Sequence, residues 1–250
     1  TAFDIGTETS DTFDFTGTTL TLNGTGTNSV AGGMEVSNTG VFTTADDAHL
    51  NIGTEFVQNG SGSTTLGGNI TSLNDGISFA TAVTLNGTDG ETISFQTGEG
   101  SGDDIVLAHN LSSNANEDIL FDAGTLGHIT VTGTTNVGTG DVTVVDANTT
   151  VFTGKVTADN YLQSAGTATS FSTAFDIGTE TSDSFDFTGD TLTINGTGTN
   201  SVAGVMEVSN TGNFTTAVGA HIEANEGIVQ NGSGSNILGG NIHTSNNNIS

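Results

Sequence analysis

Apolar residues in this chain recur as alternating triplets. Phe13-Asp14-Phe15, Leu20-Thr21-Leu22, Met34-Glu35-Val36 and Leu50-Asn51-Ile52 open the series. Ile77-Ser78-Phe79, Val83-Thr84-Leu85, Ile93-Ser94-Phe95, Ile105-Val106-Leu107, Ile119-Leu120-Phe121, Ile129-Thr130-Val131 and Val142-Thr143-Val144 continue it. Alternation with period two, rich in Thr and β-branched residues, predicts short strands that bury one face. Short intervals separate the triplets, punctuated by NG, TG, GG and DG dipeptides that read as turns. No stretch sustains apolar residues at i, i+3 and i+4, so the expected fold is all-β and free of helix.

A long repeat overlies this texture. TAFDIGTETSDTFDFTG at the start, from Thr1, returns as TAFDIGTETSDSFDFTG from Thr173. Residues 1–78 and 173–250 match at 57 of 78 positions, an identity that indicates tandem duplication. Residues 1–172 read as one complete unit and 173–250 as the first part of a second, so the chain is expected to be a window on a longer array. Differences cluster where LNIGTEF at 50–56 becomes IEANEGI at 222–228, yet Leu50 and Phe56 stay apolar as Ile222 and Ile228.

Two all-β architectures fit evenly spaced short strands: a parallel β-helix, or β-solenoid, and a string of β-sandwich domains. Three features favour the solenoid. Hydrophobic residues make up only 32% of the chain with no Trp, enough for a narrow interior but thin for sandwich cores. Pro is missing altogether; almost every strand of a solenoid must donate to a ladder, which Pro cannot do. The unit also divides into about eight coils of roughly 21 or 22 residues, the usual scale of a solenoid coil. Stacked Asn and Thr at the turns are expected to form hydrogen-bonded ladders between coils. High net charge is also a mark of disorder, but evenly spaced triplets argue against it.

The stretch NVGTGDVTVVDANTTVFTGKVTADNYLQSAGTATSF, residues 136–171, resembles the coils of bacterial filamentous-haemagglutinin and autotransporter-passenger proteins. The likeness extends in texture over the whole chain. It implies a right-handed β-helix displayed at the bacterial cell surface or assembled into a fibre. It carries over no catalytic residue.

Charge then narrows the function. The chain has 28 acidic residues against a single cation, Lys155, for a formal net charge of −27. Phosphate capture relies on Lys and Arg, so no nucleic-acid partner is expected, and attraction to anionic lipid fails for the same reason. No apolar run approaches the roughly 20 residues of a membrane helix. Without Cys there is neither a disulfide framework nor a thiolate metal site. Adjacent carboxylates such as Asp103-Asp104 are what chance provides in so acidic a chain, and a lone lysine cannot neutralise an acidic sugar, so no catalysis is expected. His49, His109, His128, His221 and His243 lack metal-binding spacing. Calcium is the one cofactor the sequence leaves in view, because it takes six to eight hard oxygens. Its candidate ligands are Asp75, Asp103, Asp104, Glu117 and Asp118, with Gly100-Ser-Gly-Asp103-Asp104 faintly similar to the nonapeptide of calcium-binding β-rolls. Asp46-Asp47 is set aside because Val218-Gly219 stands in its place in the second unit.

The expectation is a structural extracellular protein that self-associates into a filament, sheath or stalk, with divalent cations bridging its acidic skin. The alternatives are an adhesin for glycans or another cell surface, and a tail-spike-like polysaccharide depolymerase. An adhesin calls for an exposed aromatic patch, and a depolymerase for a carboxylate pair in a groove.

Overall fold

The computed structural model describes residues 1–250. It contains 33 strands and no helix, and its strands form three parallel sheets of eleven. Sheet I runs from Asp4–Ile5 to Gly227–Gln230, sheet II from Phe13–Gly17 to Ser235–Leu238, and sheet III from Leu20–Leu22 to Ile242–His243. The chain visits I, II and III in turn, eleven times, so each strand pairs with the strand three places earlier and three places later. The result is a β-solenoid of eleven coils. In place of a string of sandwiches there are three continuous ladders, and the chain makes 151 backbone–backbone hydrogen bonds in all, turns included.

Each triplet turns its first and third residues inward and its middle residue outward. Ile77-Ser78-Phe79 and Val83-Thr84-Leu85 both show this buried–half-buried–buried pattern. The inward residues form a single core of 47 buried side chains. Phenylalanines make a spine through it: Phe42 and Phe56 stand 6.1 Å apart between ring centroids, Phe56 and Phe79 5.2 Å, Phe79 and Phe95 5.5 Å, and Phe95 and Phe121 5.8 Å. Tyr161 joins this spine, stacked 4.8 Å from Phe185, with its hydroxyl donating to Gln163 Oε1 at 2.7 Å. Burial pushes its phenol well above the ordinary value.

Polar side chains inside the coils sit at corners, where they hold turn backbone. Gln58, 1% exposed, donates from Nε2 to Asn38 Oδ1 at 2.7 Å, Gly60 O at 3.1 Å and Gly62 O at 3.3 Å. Asn28 Nδ2 donates to Gly24 O and His49 O, each at 3.1 Å. The second unit repeats both devices. Gln230 donates to Asn210 Oδ1 at 2.7 Å and Gly232 O at 3.0 Å, and Asn200 to His221 O at 3.0 Å. The expected Asn ladder is therefore internal and mixed with Gln.

The expected count of about eight coils per unit holds, but the coils are uneven. Coils differ in length: a short one carries the chain from Val142 to its ladder partner Tyr161, a long one from Val83 to its partner Leu111. The unit 1–172 spans 23 strands, and so seven and two-thirds coils. Asp4–Ile5 lies in sheet I, whereas its copy Asp176–Ile177 lies in sheet III; Phe13–Gly17 lies in sheet II and its copy Phe185–Gly189 in sheet I. Each unit is thus turned by one face relative to its predecessor. Backbone pairing tolerates this because any face of the solenoid offers the same ladder, and turns of different length absorb the difference.

Candidate functional site

The five calcium-candidate carboxylates fall at two different corners. Asp75, Asp103 and Asp104 lie between sheets I and II, and Glu117 and Asp118 on the approach to sheet I from sheet III. Each is engaged with backbone. Asp75 Oδ1 accepts Gly76 N–H at 2.8 Å, and Asp103 Oδ2 accepts Gly100 N–H at 2.7 Å. Asp104 Oδ1 crosses to the next coil and accepts His128 N–H at 2.8 Å. Glu117 Oε2 accepts Ala115 N–H at 3.0 Å and is hydrogen-bonded to the Ser113 hydroxyl, while its buried Oε1 has no partner. Asp118 Oδ1 accepts Asp141 N–H at 2.8 Å, also in the next coil. These carboxylates tie turns down and link coils; they do not converge on one centre.

Three carboxylates approach within 4.8 Å of one another at one place only: Asp46, Asp47 and Glu91 at the III–I corner. Asp47 takes a left-handed backbone conformation, φ 58°. Asp46 and Glu91 belong to turns two coils apart. The turn between them is Gly67-Gly68, where a Cβ on Gly67 would stand 2.6 Å from the Ala45 carbonyl carbon. That bare turn lets the longer loop above fold down, and Thr88 Oγ1 donates to Asp46 Oδ2 at 3.1 Å. Burial, followed by the hydrogen bond and charge of Asp46 and the charge of Asp47, raises the Glu91 carboxyl above its usual range. Glu91 was invisible to sequence reasoning because coil length varies, so nothing in the sequence said which turns stack. The reason for setting Asp46-Asp47 aside also fails: Val218-Gly219 occupies the II–III corner, a different place on the surface.

Acidic groups crowd the flanks of sheet I. Burial, then the charge of Asp141, raises the Asp118 carboxyl; burial, then Glu99 and Asp146, raises Asp122; burial, then Asp183, Asp141 and Glu180, raises Asp159. Asp11 goes the other way, lowered by the N–H groups of Thr7 and Glu8 that its carboxylate accepts at 3.0 and 3.1 Å. Lys155 pairs with Asp176 at 3.2 Å on the exposed surface, a contact worth little in water.

Hollows on the surface are shallow. The largest, about 320 Å³, is lined by Thr27, His49, Leu50, Asn51, Asn69, Thr71 and Leu73 and holds no carboxylate pair, whereas a smaller one of about 200 Å³ is lined by Asp14, Glu35 and Glu55. The fourteen Phe residues and Tyr161 are all buried or half-buried, so no aromatic platform stands on an outer face. No helix is long and apolar enough to cross a membrane. No protein-family profile, curated protein or solved structure matches the chain.

Proposed function

We propose that this chain is a length of structural rod, built into an extracellular or cell-surface fibre, and that it works mechanically. The observation that carries the reading is the junction between the two sequence units. There Thr157 pairs with Asp176, Ser170 with Thr193 and Tyr161 with Phe185, in the same parallel ladder as everywhere else. A repeat that runs on through its own boundary without a hinge makes a rod whose length scales with copy number, and whose stability is a sum over coils and their interfaces. Dense carboxylates keep such rods hydrated and apart at low salt.

Electron microscopy of the isolated chain and of tandem copies tests this. Thin unbranched rods that lengthen with copy number and diffract at about 4.8 Å along the axis support it. Beaded or collapsed particles without that reflection overturn it. Polysaccharide cleavage abolished by removing a carboxylate would move the depolymerase reading ahead.

A further inference from the structure

The carboxylates are not spread evenly over the rod. None of the 28 lies in the turns that join sheet II to sheet III, in any of the eleven coils. Sheet II carries only Asp14 and Glu35, both in its first two strands, and sheet III only Asp176 and Glu223. Every other carboxylate lies on sheet I or at one of the two corners bordering it. From Phe56–Gln58 onward, nine strands of sheet II turn out one uncharged row, from Val57 through Val106, Thr130, Val151 and Thr193 to Ile237. Val41 and Val218, 38% and 85% exposed, stand on the adjoining II–III corner.

The repeat makes this segregation informative. Because each unit is turned by one face, an unchanged second copy would bring Asp46 and Asp47 round to the II–III corner. At those positions the chain has Val218 and Gly219. Thr18, which lies on the II–III corner, becomes Asp190 when its position moves to the acidic I–II corner. At these sites, substitution between the units follows the face of the rod, not the position in the repeat.

We propose that sheet II and the II–III corner form a lateral docking face for a second copy of this chain, packed parallel and in register. The inference rests on the rod reading above. An acidic partner fits only where carboxylates are missing, and another copy has the same spacing between outward rows along the whole face. Orientation follows from the corners. Antiparallel pairing through sheet II sets each acidic I–II corner against its like. A twofold axis along the rod sets it instead against the uncharged II–III corner. In that arrangement Lys155 lies in the same coil as Asp146 of the partner subunit, the sole cation facing the acidic flank. Nine coils at about 4.8 Å give a face roughly 40 Å long, on the order of 600 Å² per copy, which is short of the roughly 800 Å² of a standard stable interface. Pairing of this length is therefore weak, strengthens with screening of the net charge, and grows with the number of coils.

Sedimentation and solution scattering at about 0.5 M NaCl, where the screening length falls to roughly 4 Å, give the first test. The expected result is a reversible dimer with a doubled cross-section. Val151→Asp with Thr193→Asp abolishes it, whereas Thr143→Asp with Leu162→Asp on sheet I leaves it intact, circular dichroism showing both variants folded. Since the chain has no cysteine, Val151→Cys reports the orientation: oxidation cross-links parallel rods at that position, and Leu162→Cys gives no cross-link. Monomer at every concentration, dimers with a single-rod cross-section, or loss of pairing with the sheet I variant equal to that with the sheet II variant overturns the docking face. Pairing that needs sheet II without a Val151→Cys cross-link overturns the parallel arrangement. Lone rods with no lateral dimer refute the face and leave the rod reading standing.

Discussion

Gln58 and Gln230 are the same residue of the repeat at two depths, and this makes the internal ladder measurable. Truncating Gln58 to Ala removes the donor shared by Asn38 Oδ1, Gly60 O and Gly62 O, at a site 1% exposed and enclosed by coils on both sides. Each orphaned buried acceptor costs about 1–3 kcal/mol, less where a water enters the space vacated. Gly62 O keeps the Thr81 hydroxyl as a donor at 2.6 Å. Asn38 Oδ1 and Gly60 O are left bare, and because they share one donor the losses do not add, so about 3 kcal/mol is expected for Gln58→Ala. Gln230 makes the corresponding bonds to Asn210 and Gly232 but is half-buried in the final coil, where solvent replaces it. Gln230→Ala should cost under about 1 kcal/mol. Urea denaturation followed by circular dichroism gives the global loss. Native-state hydrogen exchange locates it, which matters because a solenoid opens coil by coil. Equal losses at the two sites, or a Gln58→Leu variant as stable as the parent, would show that the buried bonds contribute nothing net and would refute the reasoning.

Acidification from pH 7 towards about 4.5 raises the melting temperature. The folded carboxyls of Glu91, Asp118, Asp122 and Asp159 are all raised. The stability they contribute is therefore complete below their unfolded values and lost as pH rises through the folded ones. Asp11, being lowered, gives back its contribution only as pH falls below 3.8; a melting temperature that drops steadily from pH 7 contradicts this sign. Phe95→Ala, in the middle of the aromatic spine, costs about 3–5 kcal/mol, and Phe13→Ala at the half-buried first coil clearly less, as read by thermal denaturation. In an array of four tandem units, gold labels on Leu162→Cys in each unit recur about every 37 Å along the axis and return to the same face only after about 110 Å, at the fourth label. Labels lined up on one face would refute the one-face turn of the repeat.

The strands marked by apolar triplets, their inward and outward residues and the parallel coil were legible in the chain alone, whereas strands without a triplet, such as Gly26–Val30 and Thr135–Asn136, were not. Alternating triplets, absent proline and a thin apolar content are local signals, and each strand buries the same two positions whichever face it joins. An Asn ladder was foreshadowed by composition; its Gln members and its place inside the coils were not. Which turns stack on which was settled by the packed coils, because their unequal lengths, as between Val142 to Tyr161 and Val83 to Leu111, break any simple count. On that stacking depend the dispersal of Asp75, Asp103, Asp104, Glu117 and Asp118, the meeting of Glu91 with Asp46 and Asp47, and the turn of each unit by one face. Charge was legible as a total and not as a pattern. A carboxylate's place on the rod is set by the sum of all preceding turn lengths, a non-local quantity that no motif records and that becomes visible once the backbone ladders lock the coils in register.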